Sequence, residues 1–230
     1  MNDNTNDSLD FEYENKVESI KNGYQLTMNH YKIKITNPII QLYQETRYVD
    51  RNDIMRFQYD VEILTMREDG KFKRLLKHCV SEFGIMSHVE AFIDNILAYD
   101  IKQFASKRKE LKDCPLNNAK EYHQFFNIAG FLDEDRMDVV ATYREFDDSR
   151  GHHEFITYEV AFFIGGDEYG SPIIGIKLTD LEKEDLLDIK DLATLFMEYA
   201  ENIAKKEAAK FKKYYDDLEK GIVGPNPYND

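Results

Sequence analysis

The chain has 230 residues, of which 42% are apolar, so it can bury a real hydrophobic core as one or two domains. With 15 Phe and 15 Tyr, the composition is not that of a disordered chain. The net charge of −14, from 44 acidic and 30 basic residues, argues against direct binding to nucleic acid or to anionic membranes and favours basic partners.

Residues 1–20 hold six acidic residues and one lysine, and they lack the apolar segment of a secretory signal. No stretch approaches the ~18–20 apolar residues that a membrane helix needs. Cys79 and Cys114 have no metal or redox spacing, which indicates free thiols in a reducing compartment. We therefore predict a cytoplasmic protein that begins with a flexible acidic arm over residues 1–20.

The next part of the chain, residues 21–115, begins with alternating apolar residues that predict antiparallel strands. The alternation changes phase between 26–28 and 31–35, which indicates one strand with a bulge that ends at Asn37-Pro38. A second alternating run, 57–63, precedes the turn signal Glu68-Asp69-Gly70. A capping-box pair, Ser87 and Glu90, then opens a helical apolar pattern that predicts a helix to about residue 111.

Residues 116–221 form the second predicted part, and a flexible tail follows over 222–230. A short helix is predicted near 119–129, then a hairpin whose strands meet at the polar turn 147–151, and a third strand over 173–178. A long helix should begin near Glu184 and end at Gly221, packed against the sheet of 138–178. The predicted class is α+β. The core is expected to include Val140, Val160, Phe162, Ile176, Leu192 and Phe196.

The excess negative charge is concentrated in residues 133–191, which hold seventeen acidic and six basic residues. A calcium-binding EF-hand loop counted from Asp133 fails, because position five is Met137, position six is Asp138 and position twelve is Arg144. His152 and His153 are adjacent, and adjacent strand residues point to opposite faces, so they do not share a zinc ion. We expect no tight binding of calcium or zinc at either place.

Enzyme signatures are also missing from the sequence. The glycines near 165–170 lack the ending of a phosphate-binding loop, and the neighbouring Asp167 and Glu168 would repel a phosphate. No serine-nucleophile motif occurs, and no cofactor motif was found. The sequence therefore favours a protein that is not an enzyme.

The acidic residues themselves are the candidate binding surface. Glu184, Asp188 and Asp191 are spaced to share one helix face over about 10 Å, comparable with two or three phosphates along a DNA strand. Acidic residues at the turns of the adjoining hairpin would extend this row. The predicted partner-binding residues are Asp133, Glu134, Asp135, Asp138, Asp147, Asp148, Asp167, Glu168, Glu184, Asp188 and Asp191.

The segments LDEDRMD and TDLEKEDLLDIKD, the acidic arm and the many aromatic residues give the chain a general resemblance to acidic bacteriophage proteins that disable host DNA-binding machinery. Some proteins of that class imitate DNA, and some target host RNA polymerase. The resemblance implies a non-enzymatic inhibitor in the bacterial cytoplasm that binds a basic nucleic-acid-binding protein, with RNA polymerase as the first candidate. No individual residue role follows from it.

Two other classes of function remain open at the level of sequence. One is a metal-dependent enzyme that acts on nucleic acid or nucleotides, and the other is an interaction or assembly protein whose acidity only keeps it in solution.

Overall fold

The computed structural model describes residues 15–47, 50–81, 85–114, 118–129, 136–166 and 172–222. Within these ranges the chain forms ten strands and three α-helices. In chain order they are β1 Lys16–Ile20, β2 Gly23–Met28, β3 Tyr31–Arg47, β4 Asp50–Met66, β5 Phe72–Ser81, α1 Met86–Leu97, α2 Ile101–Ser106, β6 Lys112–Asp113, β7 Lys120–Ala129, β8 Arg136–Asp148, β9 Gly151–Gly166, β10 Pro172–Leu181 and α3 Lys183–Glu219. A short 3-10 helix, Arg108–Glu110, follows α2.

The strands form two antiparallel sheets. The first sheet has the order β1-β2-β3-β4-β5 and the second has the order β10-β9-β8-β7-β6, so each strand pairs with its neighbours in sequence. The chain therefore runs twice through five strands followed by helix, although its sequence shows no repeat. The α+β class predicted from sequence is confirmed.

The helices of each half of the chain pack against the sheet of the other half. α1 and α2, which follow the first sheet, contact β7 and β9 of the second sheet, whereas α3, which follows the second sheet, lies mainly on β2 and β3 of the first. α1 and α3 also pack against each other, and most of the buried apolar side chains in the described residues belong to one cluster that includes both sheets and the three α-helices. The expected packing of α3 against the sheet of 138–178 is present as a smaller contact with β9 and β10, but most of its apolar face covers the first sheet.

The change of phase near residue 29 marks a hairpin turn and not a bulge, so the prediction of one strand there was wrong. Asn29 has a φ of 47°, a left-handed conformation that asparagine tolerates, and the chain reverses at Asn29 and His30. A register shift does occur later, between Thr36 and Ile39, where Asn37 has a φ of 57°. Pro38 lies in this irregularity, which proline permits, and the strand continues.

Residues 120–129 were predicted as a helix but form β7. Tyr122, Phe126 and Ile128 are half-buried and pack against the core, while Phe125 and Asn127 on the other side are exposed. This alternation has the period of two that belongs to a strand. The segment forms a strand and not a helix because it pairs with β8. That pairing involves a distant part of the chain, so the residues of 120–129 alone do not indicate it.

The predicted long helix over 87–111 is interrupted after Leu97. The side chain of Asp100 accepts hydrogen bonds from the backbone N–H groups of Lys102 and Gln103, and the Gln103 side chain accepts one from the N–H of Asp100. This capping box starts α2 as a separate helix. The capping box predicted at Ser87 is absent, because α1 already begins at Met86.

The boundaries of α3 agree closely with those predicted from sequence. The helix begins at Lys183 and ends at Glu219, just before Gly221, whose φ of 68° suits the end of a helix. Four residues of the predicted core are buried: Val160, Ile176, Leu192 and Phe196. Val140 and Phe162 are only half-buried. Val140 lies on the face opposite to the fully buried Val139, so its assignment to the core was wrong.

Residues 16–20 were predicted to belong to the flexible arm, but they form β1 and pair with β2. Both cysteines are free, with Cys79 exposed and Cys114 buried. Of the helices in the described parts of the chain, none is long and apolar enough to cross a membrane.

Candidate functional site

The eleven acidic residues predicted to bind a partner fall into three groups. Five lie outside the described residues: Asp133, Glu134, Asp135, Asp167 and Glu168. Three lie on β8: Asp138, Asp147 and Asp148. Three lie on α3: Glu184, Asp188 and Asp191.

Asp138 lies in the middle of the second sheet and its charge is matched by a neighbour. The Nε atom of Arg136 is 3.1 Å from Oδ2 of Asp138, and the same guanidinium stacks 4.2 Å above the centre of the Phe163 ring. Asp138 is thus half of an ion pair on the sheet and does not add a free charge to an acidic row.

Asp147 and Asp148 at the end of the β8–β9 hairpin are each paired with a histidine. Nδ1 of His152 is 2.9 Å from Oδ1 of Asp147, and Nε2 of His153 is 2.9 Å from Oδ1 of Asp148. The backbone N–H of Arg150, followed by the His153 side chain, holds the pKa of Asp148 below its usual value. The two histidines contact different partners, as their adjacent positions on a strand predict.

His152 belongs to a larger set of interacting side chains that sequence spacing did not reveal. We call this set, Arg108, Tyr143, Glu145, His152 and Glu154, the hairpin-end network. Arg108 lies 3.3 Å from Glu145 and 2.6 Å from Glu154, and Nε2 of His152 is 3.1 Å from Glu154. The Tyr143 hydroxyl donates to Glu145 over 3.1 Å. Burial is the main cause that raises the pKa of Tyr143 to about 12, so the hydroxyl keeps its proton at neutral pH.

Three members of the hairpin-end network have the arrangement of metal ligands. One atom from each of Glu145, His152 and Glu154 lies within 4.8 Å of the others. Arg108, however, contacts both glutamates, and His152 is held between Asp147 and Glu154. A divalent ion would have to displace a guanidinium and compete with a proton. The expectation that this hairpin binds zinc or calcium only weakly stays a prediction.

The hairpin-end network gives His152 a pH-dependent role. Hydrogen bonds to Asp147 and then to Glu154 raise the pKa of His152 above its usual value, because only the imidazolium donates from both nitrogens. The resulting stabilisation is present below the ordinary histidine pKa and is lost as pH rises through the raised one. We expect NMR titration to give His152 a pKa above ~6.5, and Asp147→Asn to lower it. Glu159→Gln, which removes an acid paired with Lys177, is the control and should leave it unchanged.

Glu184, Asp188 and Asp191 on α3 are different, because no ion pair among the described residues involves these three carboxylates. Glu184 and Asp191 are exposed, Asp188 is half-buried, and the exposed Glu198 continues the same helix face seven residues after Asp191. We call Glu184, Asp188, Asp191 and Glu198 the acidic face of α3. It extends over about 21 Å of helix at the usual rise per residue. Glu198 was not predicted because it lies beyond residue 191, where the segment with most of the excess negative charge ends.

The local structure at the start of α3 explains why charge accumulates there. Asp185 is only 6% exposed and accepts hydrogen bonds of 2.6 Å from the backbone N–H of Glu182 and from the side chain of Asn15. Its role is to cap the helix and to fasten the chain before β1. Burial, and then repulsion from Asp185, Asp191 and Glu184, raises the pKa of Asp188. Burial is the larger cause of this rise in pKa, and the repulsion from the three neighbouring carboxylates adds to it.

Neutralising Asp188 should therefore stabilise the fold at neutral pH. The folded chain holds the Asp188 proton more tightly than the unfolded chain, so ionisation of Asp188 destabilises the fold as pH rises. We expect Asp188→Asn to raise the free energy of unfolding at pH 7 by about 0.5–1 kcal/mol, from two or three like-charge contacts. The gain should shrink as pH falls toward the ordinary aspartate pKa. Asp113→Asn, at an exposed position on β6, should show no such gain in the same denaturation series.

No protein-family model matches the chain, and no curated protein is significantly similar to it. The solved structures with a weak likeness include two that each have a TM-score of 0.28 and 10% sequence identity. The match to the plant transcriptional regulator PBF-2 covers 82% of this chain and 88% of the PBF-2 chain. The match to WHY1 from Arabidopsis thaliana covers 85% of this chain and 93% of the WHY1 chain. A TM-score this low supports no inference about fold or function.

Proposed function

We propose that this protein is a non-enzymatic binding protein whose acidic face of α3 takes the place of nucleic acid on a basic nucleic-acid-binding partner. The observation that carries the proposal is the set of carboxylates on α3 that form no ion pair with a lysine or arginine among the described residues. Their repulsion contributes to the raised pKa of Asp188. A surface that keeps such repulsion in the free protein gains most when a cationic surface covers it.

The contrast with the β8–β9 hairpin supports the choice of α3. At the hairpin, Asp138, Asp147 and Asp148 each have a cationic or histidine partner within 3.1 Å. A basic partner would have to break these pairs before it could use the acids. Binding to the acidic face of α3 would break no ion pair of this kind, so we propose that the main contact lies there.

The spacing of the acidic face suits the imitation of a DNA strand. Its four carboxylates lie along about 21 Å of a rigid helix, a length that contains roughly six phosphates of one strand. The charge density is therefore about two thirds of that of the strand. α1 and the first sheet support the helix from behind, which fixes the positions of the acids before binding.

The proposed partner is a protein with a basic nucleic-acid channel, and bacterial RNA polymerase is the first candidate. Occupation of its DNA channel would inhibit transcription in the bacterial cytoplasm, as a phage-encoded inhibitor would do. No catalytic step is required, and the protein itself is expected not to bind DNA or RNA.

The test is displacement of labelled duplex DNA from purified bacterial RNA polymerase, followed by fluorescence anisotropy. We expect the parent protein to displace the DNA, and the triple variant Glu184→Gln, Asp188→Asn, Asp191→Asn to require at least tenfold more protein. Displacement should weaken steeply as salt rises, because exposed charges are screened over about 10 Å at 0.1 M.

A matched control has the same change of charge elsewhere. Glu68→Gln, Glu110→Gln and Asp113→Asn together neutralise three exposed acids away from α3 and should displace DNA as the parent does. The proposal fails if the parent displaces no DNA, or if both triple variants behave alike. Binding of the labelled DNA by this protein alone would also overturn it.

A further inference from the structure

The first sheet has a cleft of about 480 Å³ at one end of its strands, beside α3. This volume lies within the ~300–1,000 Å³ that is usual for sites that bind small molecules. The lining residues come from the β1–β2 turn, β3, β4, β5 and α3, and they include Asn22, Asn37, Ile39, Asp60, Cys79 and Tyr199.

An irregularity in β3 forms one wall of the cleft. The pairing of β3 with β4 shifts between Thr36 and Ile39, and Asn37 between them has a left-handed φ of 57°. Asn22 in the β1–β2 turn has a φ of 63°, and its carbonyl oxygen accepts a hydrogen bond of 2.9 Å from the N–H of Asn37. Such departures from regular pairing change the direction of side chains and are frequent beside binding sites.

Side-chain hydrogen bonds along this wall end at a carboxylate. Nδ2 of Asn22 donates to Oδ1 of Asn37 over 3.2 Å, and Nδ2 of Asn37 donates to Oδ2 of Asp60 over 3.0 Å. A carboxylate has about four acceptor positions, so Asp60 can accept further donors. Cys79 lies opposite Asp60 on β5, and burial followed by the negative charge of Asp60 raises the pKa of its thiol. The thiol is therefore neutral at pH 7.

The charge of the lining favours a cation. Asp60 is charged, and none of the described residues that line the cleft is basic. Glu62, two positions along β4, is paired with Lys34 and Arg74, whereas no ion pair within the described ranges involves Asp60. A cation would thus bind beside Asp60 without breaking an ion pair, and an anion would be repelled.

The other polar residues of the lining suit a guanidinium group. The side-chain amides of Asn22 and Gln58 offer oxygen acceptors in addition to Asp60, and a planar guanidinium carries five N–H donors. Tyr199 adds an aromatic ring, which attracts cations through its π electrons. The ring is held by an edge-to-face contact with Tyr24, with ring centres 6.2 Å apart.

We propose that this cleft binds a small organic cation, a guanidinium group on a short aliphatic chain. The guanidinium contacts Asp60, and the chain lies against the apolar lining residues Pro38, Ile39 and Ile203. The four carboxylates of the acidic face of α3 are not among the residues that line the cleft, so this site does not depend on the proposed function.

Isothermal titration calorimetry with n-butylguanidinium tests the site, and n-butylurea, which has the same shape without the charge, is the control ligand. We expect a dissociation constant below about 1 mM for the guanidinium and binding at least tenfold weaker for the urea. Asp60→Asn should bind the guanidinium at least tenfold more weakly. Glu68→Gln removes the same charge from an exposed turn and should bind it as the parent does.

Modification of Cys79 locates the bound cation in the cleft. Cys79 is exposed and Cys114 is buried, so N-ethylmaleimide should react first at Cys79 and leave a bulky group in the cleft. We expect the modified protein to bind n-butylguanidinium at least tenfold more weakly than the parent. Cys79→Ser treated in the same way should bind as the parent does, and circular dichroism should show that each form remains folded.

Several results would overturn this assignment. One is the absence of binding by the parent up to about 10 mM n-butylguanidinium. Others are equal binding of n-butylurea, or binding as tight as the parent's by Asp60→Asn or by the protein modified at Cys79. Loss of binding in the triple variant of the acidic face of α3 would place the cation on the helix, and the cleft would then not be its site.

Discussion

Replacing Phe196 with alanine is expected to lower the free energy of unfolding by about 3–5 kcal/mol, the usual cost of removing a buried aromatic ring. Phe196 is fully buried at the point where α3 meets the first sheet. Its ring centre lies 5.3 Å from that of Tyr59 and 6.1 Å from that of Phe57, both on β4. The cavity would open between the helix and the sheet that it covers, where rigid neighbours on both sides limit collapse.

Chemical denaturation at neutral pH measures this effect, and Phe125→Ala is the matched control. Phe125 lies on the outer face of β7 and is 55% exposed, so its removal should cost less than about 1 kcal/mol. Equal losses for the two variants would contradict the packing of α3 on the first sheet.

Replacing Gly23 with alanine is expected to destabilise the fold by about 3 kcal/mol, at the upper end of the range for overpacking. A methyl group at this position would overlap the carbonyl oxygen of Ile35 and lie 2.8 Å from the Cα of Thr36. Both atoms belong to the backbone of β3, so no side chain can rotate away. The pairing of β2 with β3 must therefore loosen at this end.

The thermal midpoint of Gly23→Ala should fall accordingly, and hydrogen exchange should show faster opening of β2. Thr36→Ala, at the residue paired with Gly23, adds no atoms and is the control. A variant at Gly23 as stable as the parent would mean that β2 and β3 approach less closely than described.

The sequence predicts helices and strands best where the apolar residues follow only the helical period or only the alternation of a strand. The helix α3 and the β8–β9 hairpin have such patterns, and both were placed nearly correctly. β7 was not predicted because the spacing of the apolar residues in its ten positions is also compatible with a short helix. The β2–β3 hairpin was missed because Asn29 alone supplies the turn, without the glycine that usually marks one.

At the candidate site, too, features set by neighbouring residues were predicted, and contacts between distant residues were not. The acids at Glu184, Asp188 and Asp191 were predicted to share a face because helical spacing fixes it. The pairing of the hairpin acids depends instead on contacts between strands, as with Asp147 and His152, which spacing along one strand does not show. Arg108 comes from a different part of the chain altogether, so its contact with Glu154 follows only from the packing of α2 on the second sheet.

The exchange of helices between the two halves affects the order of folding during synthesis. α1 and α2 are made before the second sheet, so that sheet can close on them as its strands form. The first sheet is complete at Ser81, yet its cover, α3, begins about a hundred residues later. Protein synthesis adds ~5–20 residues per second, so the apolar side of the first sheet stays without α3 for about 5–20 s during translation. Nascent chains that stop before α3 should therefore expose Ile33, Ile35 and Ile63, and they are the forms that chaperones would be expected to bind.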